Sequence, residues 1–278
     1  MGETWRWLNT GTASGASNMA VDLALLEAVG HGKAPPTLRV YAWDPPCLSL
    51  GHAQPVEDID LAALTSAGWN WVRRPTGGRA ILHTDELTYA AAAPGGHPLM
   101  NGGVLASYRR LSRGLVAALK LLGVAAEIEP NADKPAGLNH NPVCFEVPSA
   151  YEIKVSGRKL IGSAQVRRQA GVLQHGTLPL AGDLGRICRA LRFAEPAEAE
   201  RAAARVRQRA ATLEQALGSA VPWHTAAEAL KSGFEAALDI KLVAGDLSVD
   251  EQRRAAALAR HLQARPGEPV GRGTSVAG

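Results

Sequence analysis

The sequence predicts an α+β catalytic domain in which mixed or antiparallel sheets are covered by helices. Candidate strands concentrate before residue 180, whereas the chain after about residue 184 is helical and rich in alanine. Strands grouped ahead of helices are typical of α+β proteins, because a doubly wound fold alternates the two. The 278 residues, of which 46% are hydrophobic, are enough to bury a sizeable core. We expect residues 1–245 to form the catalytic domain and residues 246–278 to add a helix and a loose tail.

The first part of the chain reads as one helix followed by short strands. Ser17 and Asn18 precede apolar residues at helical spacing, which predicts a capped helix that ends near Gly30. Pro45 and Pro46 force a turn between the first two strands. The predicted strands cover residues 38–43, 47–51, 70–73, 80–83 and 87–91.

A long amphipathic helix and a hairpin come next. Apolar residues recur at spacings of three and four between positions 108 and 122, so this helix should pack on the sheet. Ser156-Gly157 joins two strand-like segments and is a pair of the type that closes a hairpin. Residues 172–180 predict another strand, and residues 197–217, 224–238 and 248–264 predict the C-terminal helices.

Composition and motifs argue against several classes of function. No stretch approaches the roughly 18 to 20 apolar residues that a membrane span needs, and the first residues lack a secretion signal. We therefore expect a cytoplasmic protein without membrane contact. The net charge of +4 comes without a helix-turn-helix, zinc-finger or RNP motif, so no nucleic-acid partner is expected. The histidines lack metal-ligand spacing, so no metal site is predicted.

A glycine pair between two predicted strands is the first candidate site. In the run RRPTGGRAILH, Gly77 and Gly78 allow a ligand to approach backbone amides without a Cβ in the way. The run is not a Walker loop, because the GK[ST] ending is missing, and no GxGxxG opens a helix. The alternative is a plain turn in a hairpin.

Cys144 is the candidate nucleophile among three cysteines. It stands in a segment bounded by two prolines, whereas Cys47 and Cys188 lie in apolar surroundings and are predicted to be buried. Lys159 follows the predicted hairpin turn, and its ammonium would favour a thiolate if it pointed towards the cysteine. The alternative for Lys159 is an exposed lysine of the hairpin.

Several runs together carry a resemblance to a known family. In order, they are ETWRW, NMAVDLALLE, RPTGGRAILHTDELTYA, CFEVPSAYEI, GRKLIGSAQ and LQHGT. The chain resembles the LipM-type octanoyl-[acyl carrier protein]:protein N-octanoyltransferases of the biotin/lipoate protein ligase superfamily. Two features favour this family over the ligases: Arg79 follows the glycine pair, and Cys144 directly precedes the SxYE run. The resemblance extends from about Thr4 to Leu242, and the sequence departs from the family pattern beyond about residue 245.

The resemblance implies a fold, a reaction and a set of site residues. The fold would be that of a biotin/lipoate protein ligase catalytic domain. The octanoyl group would pass from acyl carrier protein to Cys144 as a thioester, with Lys159 lowering the pKa of the thiol. It would then pass to a lysine of a lipoyl domain, in glycine cleavage H protein or in a 2-oxoacid dehydrogenase E2. No cofactor is expected, because the donor carries its own phosphopantetheine. The implied substrate-binding residues are Arg74, Gly77, Gly78, Arg79, His83, Gly162, Ser163, Gln165 and His175.

Further expectations concern the acyl pocket and the partner surface. Tyr41, Trp71 and Leu82 are candidate walls for the octanoyl chain. The basic cluster at positions 109, 110 and 113 is a candidate for steering the acidic carrier protein. Three alternatives remain open: an octanoyl amidotransferase between carrier proteins, an ATP-dependent lipoate or biotin ligase, and a binding module without activity.

Overall fold

The computed structural model describes residues 2–130, 151–168, 170–265 and 267–268. The strands are β1 (Glu3–Ala13), β2 (Thr37–Trp43), β3 (Cys47–Leu50), β4 (Asn70–Arg73), β5 (Ile81–His83), β6 (Glu86–Pro94), β7 (Glu127–Pro130), β8 (Tyr151–Val155), β9 (Arg158–Arg168), β10 (Gly171–Pro179) and β11 (Ile240–Ala244). The α-helices are α1 (Gly15–Gly30), α2 (Leu61–Ser66), α3 (Gly103–Leu121), α4 (Pro196–Arg209), α5 (Leu213–Leu217), α6 (Trp223–Leu238) and α7 (Val249–Ala264). Within the described residues, 3-10 helices span Val56–Asp58 and Leu184–Ala190. Cys144 lies outside the described residues.

The strands form two sheets. The large sheet has eight strands in the order β11-β1-β2-β6-β10-β9-β8-β7, and the small sheet has the order β4-β3-β5. In the large sheet β1 runs parallel to β2 and to β11, and the other neighbours are antiparallel. In the small sheet β3 is parallel to β4 and antiparallel to β5. The predicted α+β class with mixed sheets is therefore confirmed.

Helices cover both faces of the large sheet. On β6, Tyr89 and Ala91 belong to the core that also contains α3 and α6, whereas Ala90 and Ala92 pack with α1. Successive side chains of a strand point to opposite faces, so β6 is buried on both sides. A third core forms beneath the small sheet, between β3, the 3-10 helix Leu184–Ala190 and α4.

Helix α1 begins earlier than the sequence predicts. Its N-cap is Ser14, whose hydroxyl accepts a hydrogen bond from the backbone N–H of Ser17. Asn18 is fully buried inside the helix and donates to the carbonyl oxygens of Ala13 and Ala42. The expectation that Ser17 and Asn18 begin the helix is therefore wrong, because the Asn18 side chain makes tertiary contacts instead.

Helix α7 packs against the outer side of α1. Leu258 and Leu262 are buried in the same core as α1, and Arg254 makes a two-pronged ion pair with Glu27. A capping box between Ser248 and Glu251 begins the helix, as expected for a Ser followed three residues later by Glu. The predicted helix at 248–264 is confirmed, while the division of the chain at residue 245 stays a prediction.

The predicted hairpin is confirmed in detail. Ser156 and Gly157 both have positive φ, 49° and 74°, which a two-residue hairpin turn of the mirror-image type requires. Strands β8 and β9 pair across it, with Lys154 opposite Lys159 and Glu152 opposite Gly162. None of the described helices is long and apolar enough to cross a membrane.

Candidate active site

A cavity lies where the two sheets meet. The large sheet supplies Tyr41 and Trp43 from β2, Thr88 from β6, and short runs of β9 and β10. The small sheet supplies Ser49, Ile81 and His83, and Met19 comes from α1. Many of the lining residues have polar or charged side chains, but the surface that they expose to the cavity is mostly apolar, which suits an acyl chain.

Eight of the residues implied by the resemblance line this cavity. They are Arg74, Gly77, Gly78, His83, Lys159, Gly162, Ser163 and His175. They come from four separate parts of the chain, and the fold alone brings them together. Their roles stay predictions. Arg79 and Gln165 are not among the lining residues, and the position of Cys144 relative to the cavity lies outside the described residues.

The glycine loop, residues 74–80 between β4 and β5, is held from inside by Arg74. One nitrogen of its guanidinium donates to the carbonyl oxygens of Gly77 and Arg79 at 2.8 Å. The other donates to the backbone oxygen and the hydroxyl of Ser49. Gly78 has φ +96°, a conformation that side chains with a Cβ rarely adopt. Arg74 therefore holds the loop and also forms part of the cavity wall, and its role in binding substrate stays a prediction.

Lys159 is buried at the cavity wall. Its side chain is 3% exposed, and its ammonium lies 3.0 Å from the carboxylate of Glu152 on the paired strand. A Cβ on Gly162 would lie 2.8 Å from the Cε of Lys159, so the glycine leaves room for the lysine. The alternative of an exposed hairpin lysine is wrong, because the Lys159 side chain turns inward to meet Glu152.

His83 is held by a carboxylate and a hydroxyl. Its Nδ1 lies 2.7 Å from Glu86, its Nε2 lies 2.8 Å from the hydroxyl of Ser49, and Trp43 stacks on its ring at 3.9 Å. Burial would raise the pKa of Glu86, but His83 and hydrogen bonds lower it below its ordinary value. Glu86 is therefore a carboxylate at neutral pH.

His175 has the same kind of surroundings on the other side of the cavity. Its Nδ1 lies 2.9 Å from Asp22 and its Nε2 lies 2.7 Å from the hydroxyl of Thr76. Burial lowers the pKa of His175; Asp22 acts to raise it, and Arg74 and His83 lower it further. The net effect is a pKa below 6.5, so His175 is neutral at pH 7.

Gln165 lies beside the cavity and is part of a polar chain. It contacts Ser107 of α3 and donates to Gln174, which donates to the hydroxyl of Tyr89. That hydroxyl lies 2.7 Å from Ser163 in the cavity wall. Gln165 therefore supports Ser163 from behind.

The predicted acyl walls are correct only in part. Tyr41 lines the cavity, whereas Trp71 and Leu82 pack in the core beneath the small sheet. Since strand neighbours point to opposite faces, Ile81 and His83 face the cavity while Leu82 faces away. Cys47 and Cys188 are buried, as predicted.

Sequence reasoning missed the carboxylates that hold the site. Glu152 lies on the strand that pairs with the strand of Lys159, but the register puts Lys154 opposite Lys159, so pairing alone did not reveal the contact with Glu152. Asp22 offered one signal, a single acid between apolar residues of a buried helix, where an unpaired charge is costly. Nothing in the sequence joined Asp22 to His175. No group of side chains suited to holding a metal ion occurs among the residues that the structure describes.

Comparison with known proteins agrees with this architecture. Residues 14–235 match the family model of the lipoyl protein ligase A/B catalytic domain. A structure described as that of a bi-partite lipoate protein ligase and its E2 lipoyl domain from Thermoplasma acidophilum superposes with a TM-score of 0.75 at 22% identity. That superposition covers 95% of this chain and 93% of the other, and at this identity it concerns the fold. The fold and the cavity thus define a lipoyl protein ligase A/B catalytic domain.

Curated relatives narrow the class to one family. Octanoyltransferase LipM of Symbiobacterium thermophilum is 43% identical over 93% of this chain and 95% of its own. Octanoyltransferase LipM of Moorella thermoacetica is 42% identical, over 91% and 93%. The chain therefore belongs to the octanoyltransferase LipM family and is an acyltransferase. An alignment over 93% of 278 residues extends beyond residue 245, so the expectation that the resemblance ends there is wrong.

Proposed function

We propose that this enzyme transfers an octanoyl group from octanoyl-acyl carrier protein to a lysine of a lipoyl domain, through a thioester on Cys144 and without ATP. Membership of the octanoyltransferase LipM family supports octanoyl as the acyl group that is transferred. One observation carries the chemistry: Lys159, with a buried ammonium, stands at the wall of a largely apolar cavity. An ammonium in such a place stabilises a nearby thiolate more strongly than one in water.

In the first step the Cys144 thiolate attacks the carbonyl carbon of the octanoyl thioester. A new carbon–sulfur bond forms to Cys144, and the bond to the phosphopantetheine sulfur breaks. The carrier leaves as a thiolate and takes up a proton. One thioester replaces another, so the exchange is close to thermoneutral and needs no ATP.

In the second step the amine of the acceptor lysine attacks the acyl-enzyme. An amide forms, the Cys144 thiolate is released, and the proton lost by the amine passes to solvent or to a basic group. The tetrahedral oxyanion of each step requires hydrogen-bond donors. In this proposal the backbone N–H groups of Gly77 and Gly78 or the Lys159 ammonium supply them, because all three residues line the cavity.

The proposed partners are two proteins, an acyl carrier donor and a lipoyl-domain acceptor. The Thermoplasma ligase is described with an E2 lipoyl domain, which supports an acceptor of this class. Arg109 and Arg113 are exposed on α3, and Arg110 binds carbonyl oxygens of Leu99 and Asn101. The two exposed arginines are candidates for steering the acidic carrier, and the reaction would take place in the cytoplasm.

Intact-protein mass spectrometry tests the proposal. The enzyme is mixed with octanoyl-acyl carrier protein without ATP, beside a Cys144→Ala variant and a Cys188→Ala control. Cys188 is buried in a 3-10 helix, so its replacement should leave the acyl-enzyme intact. We expect an octanoyl adduct that hydroxylamine removes, in the wild type and in the control but not in Cys144→Ala.

Other outcomes identify the alternatives. Labelling of a lipoyl domain by free octanoate only with ATP, and without an adduct, would place the enzyme with the ligases. An adduct formed from an octanoylated lipoyl domain but not from the carrier would indicate an amidotransferase. Binding of carrier or lipoyl domain without any transfer would leave a binding module.

A further inference from the structure

Asp22 is a carboxylate buried completely between α1 and the large sheet. One oxygen accepts from the Arg39 guanidinium at 2.6 Å, and the other accepts from the hydroxyl of Tyr41 at 2.9 Å. Burial raises the pKa of Asp22, but Arg39 and His175 lower it below the ordinary value of 3.8. Asp22 therefore carries no proton at neutral pH and can only accept hydrogen bonds.

The state of Asp22 determines where His175 carries its proton. Nδ1 of His175 lies 2.9 Å from the carboxylate oxygen, so Nδ1 must be the donor. A neutral imidazole has one N–H, and Nε2 is then left as an acceptor. Thr76, whose hydroxyl lies 2.7 Å from Nε2, must donate to it. The direction of each hydrogen bond follows from the one before.

Thr76 joins this chain of hydrogen bonds to the glycine loop. It immediately precedes Gly77, is fully buried, and accepts the backbone N–H of His52 through its own carbonyl oxygen. Thr76 is absent from the lining of the cavity, whereas His175 is part of it. A role for the Thr76 hydroxyl as a nucleophile is therefore not supported, and a role in holding the loop is.

We infer that Asp22 and Thr76 are positioning residues: the Asp22 carboxylate keeps the proton of His175 on Nδ1, so that Nε2 accepts from Thr76 and fixes the glycine loop over the cavity. The chain of contacts crosses from α1 through β10 of the large sheet to a loop of the small sheet. Its part in acyl transfer rests on the proposed function, whereas the protonation pattern does not.

Nuclear magnetic resonance of protein labelled with 15N-histidine tests the protonation pattern directly. Long-range 1H–15N spectra distinguish the two neutral tautomers from the charged ring, and a His175→Gln variant assigns the signal. We expect a neutral ring protonated on Nδ1 at pH 7. A ring protonated on Nε2, or a charged ring, would overturn the inference even if octanoyl transfer were established.

Two substitutions of Thr76 test the link to the glycine loop. Thr76→Val keeps the shape of the side chain but removes the hydroxyl, and Thr76→Ser keeps the hydroxyl. We expect Thr76→Val to shift the Nε2 signal of His175 and to lower kcat/KM for octanoyl transfer by about 10- to 100-fold, as for a misplaced catalytic loop. Thr76→Ser should leave both the Nε2 signal of His175 and kcat/KM close to those of the wild type. Equal activity of the two variants would contradict the inference.

The variant Asp22→Asn tests the direction of the hydrogen bonds that His175 makes. The amide of asparagine can donate to Nδ1, which would move the proton of His175 to Nε2 and reverse the bond to Thr76. The expected result is the other tautomer in the spectrum together with reduced kcat. An unchanged tautomer in folded Asp22→Asn would contradict the inference. Arg39 loses its anionic partner in this variant, so the protein could fail to fold, and the two substitutions of Thr76 then decide between the outcomes. Absence of transfer by the wild type would refute the proposed function and leave the spectrum as the test.

Discussion

The polar residues of the cavity are held by carboxylates that approach from other parts of the chain. His175 and Asp22 are 153 positions apart, and His83 and Glu86 are separated by one turn between β5 and β6. Glu152 reaches Lys159 across the hairpin. A buried charge requires such a partner, because an unpaired ion loses its hydration without compensation. His83, His175 and Lys159 are therefore each held in position by a carboxylate of the protein itself.

The pair of Glu152 and Lys159 should be strongly coupled in stability. Their side chains are 6% and 3% exposed, so neutralising only one of the two residues would leave the charge of the other buried. A double-mutant cycle with Glu152→Gln and Lys159→Met should give a coupling of about 1–3 kcal/mol, measured by urea unfolding. The exposed pair Asp250 and Arg253, 84% and 76% exposed, is the control and should show coupling within experimental error. Additive effects at Glu152 and Lys159 would contradict the buried pair.

At this scale the sequence supplied residue types but not their partners. Lys159, His83 and His175 were candidates from their motifs, and the structure places all three at one cavity. Asp22 was not a candidate, because its interaction with His175 exists only when α1 lies against β10. Arg79 and Gln165 stand within the same motifs but do not line the cavity, and Gln165, two residues beyond Ser163 on β9, contacts Ser107 and Gln174 instead.

At the scale of secondary-structure elements, helices α3 and α6 pack closely against each other at two glycines. A Cβ on Gly233 would be 2.4 Å from the backbone nitrogen of Ala118, and one on Gly114 would be 2.7 Å from the ring of Phe234. Contacts this short leave no space for a methyl group. The glycines therefore set the distance between the helices, which cover one face of the large sheet.

Gly233→Ala should be destabilising although alanine favours helices. The helix preference gains about 1 kcal/mol, but the clash with the α3 backbone should cost more, with a net loss of about 1–3 kcal/mol. Gly96→Ala is the matched control, because that glycine is exposed and a Cβ there would meet no atom within 4 Å. Chemical denaturation of both variants measures the difference. A Gly233→Ala protein as stable as Gly96→Ala would show that the helices can separate freely.

The packing of α7 on α1 gives a second prediction for the elements. Leu258 is fully buried between them, so Leu258→Ala should lower the free energy of unfolding by about 2–5 kcal/mol. Val249→Ala, at a position 68% exposed, should have little effect. Thermal and urea unfolding compare the two. A small effect of Leu258→Ala would support the predicted division at residue 245, with α7 only an appendage.

The sequence predicted the helices and hairpin better than the sheet edges. The edge strands β7 and β11 were missed, and so was β1, which lies next to β11. β1 and β11 pair in parallel although they lie far apart in the sequence, so no local turn signal marks the pair, and β7 has only four residues. The helix predicted over 197–217 is broken at residues 210–212, where the backbone of Ala211 donates to the carbonyl oxygen of Lys159. A tertiary hydrogen bond therefore overrides a strong helical preference in an alanine-rich segment.

For the molecule as a whole, the cavity marks the place where the two sheets contact each other. Beyond the glycine loop, Ser49 of the small sheet lies against His83, which is bonded to Glu86 of the large sheet. On the other side Thr76 lies against His175 of the large sheet. Two imidazoles thus connect the layers. Because His175 connects the two sheets, a difference between its pKa in the folded protein and in the unfolded chain should change the free energy of unfolding.

Stability should therefore fall as the pH falls below 6.5. The pKa of His175 is lowered in the folded protein from 6.5, its ordinary value in an unfolded chain. At a pH between the folded-state pKa and 6.5, the unfolded chain therefore binds a proton that the folded chain does not. Stability then rises with pH in this window, by up to about 1.4 kcal/mol per pH unit, and the gain is complete above it. The lowered pKa values of Asp22 and Glu86 act in a separate window below pH 4.5.

Urea midpoints at pH 7.5, 6.5 and 5.5 should decline more steeply for the wild type than for His175→Gln. His224→Gln, at an exposed position, should follow the wild type. If the urea midpoints of the wild type and His175→Gln changed with pH in the same way, the pKa of His175 would be the same in the folded and the unfolded protein. The contact between the two sheets would then not depend on a neutral His175.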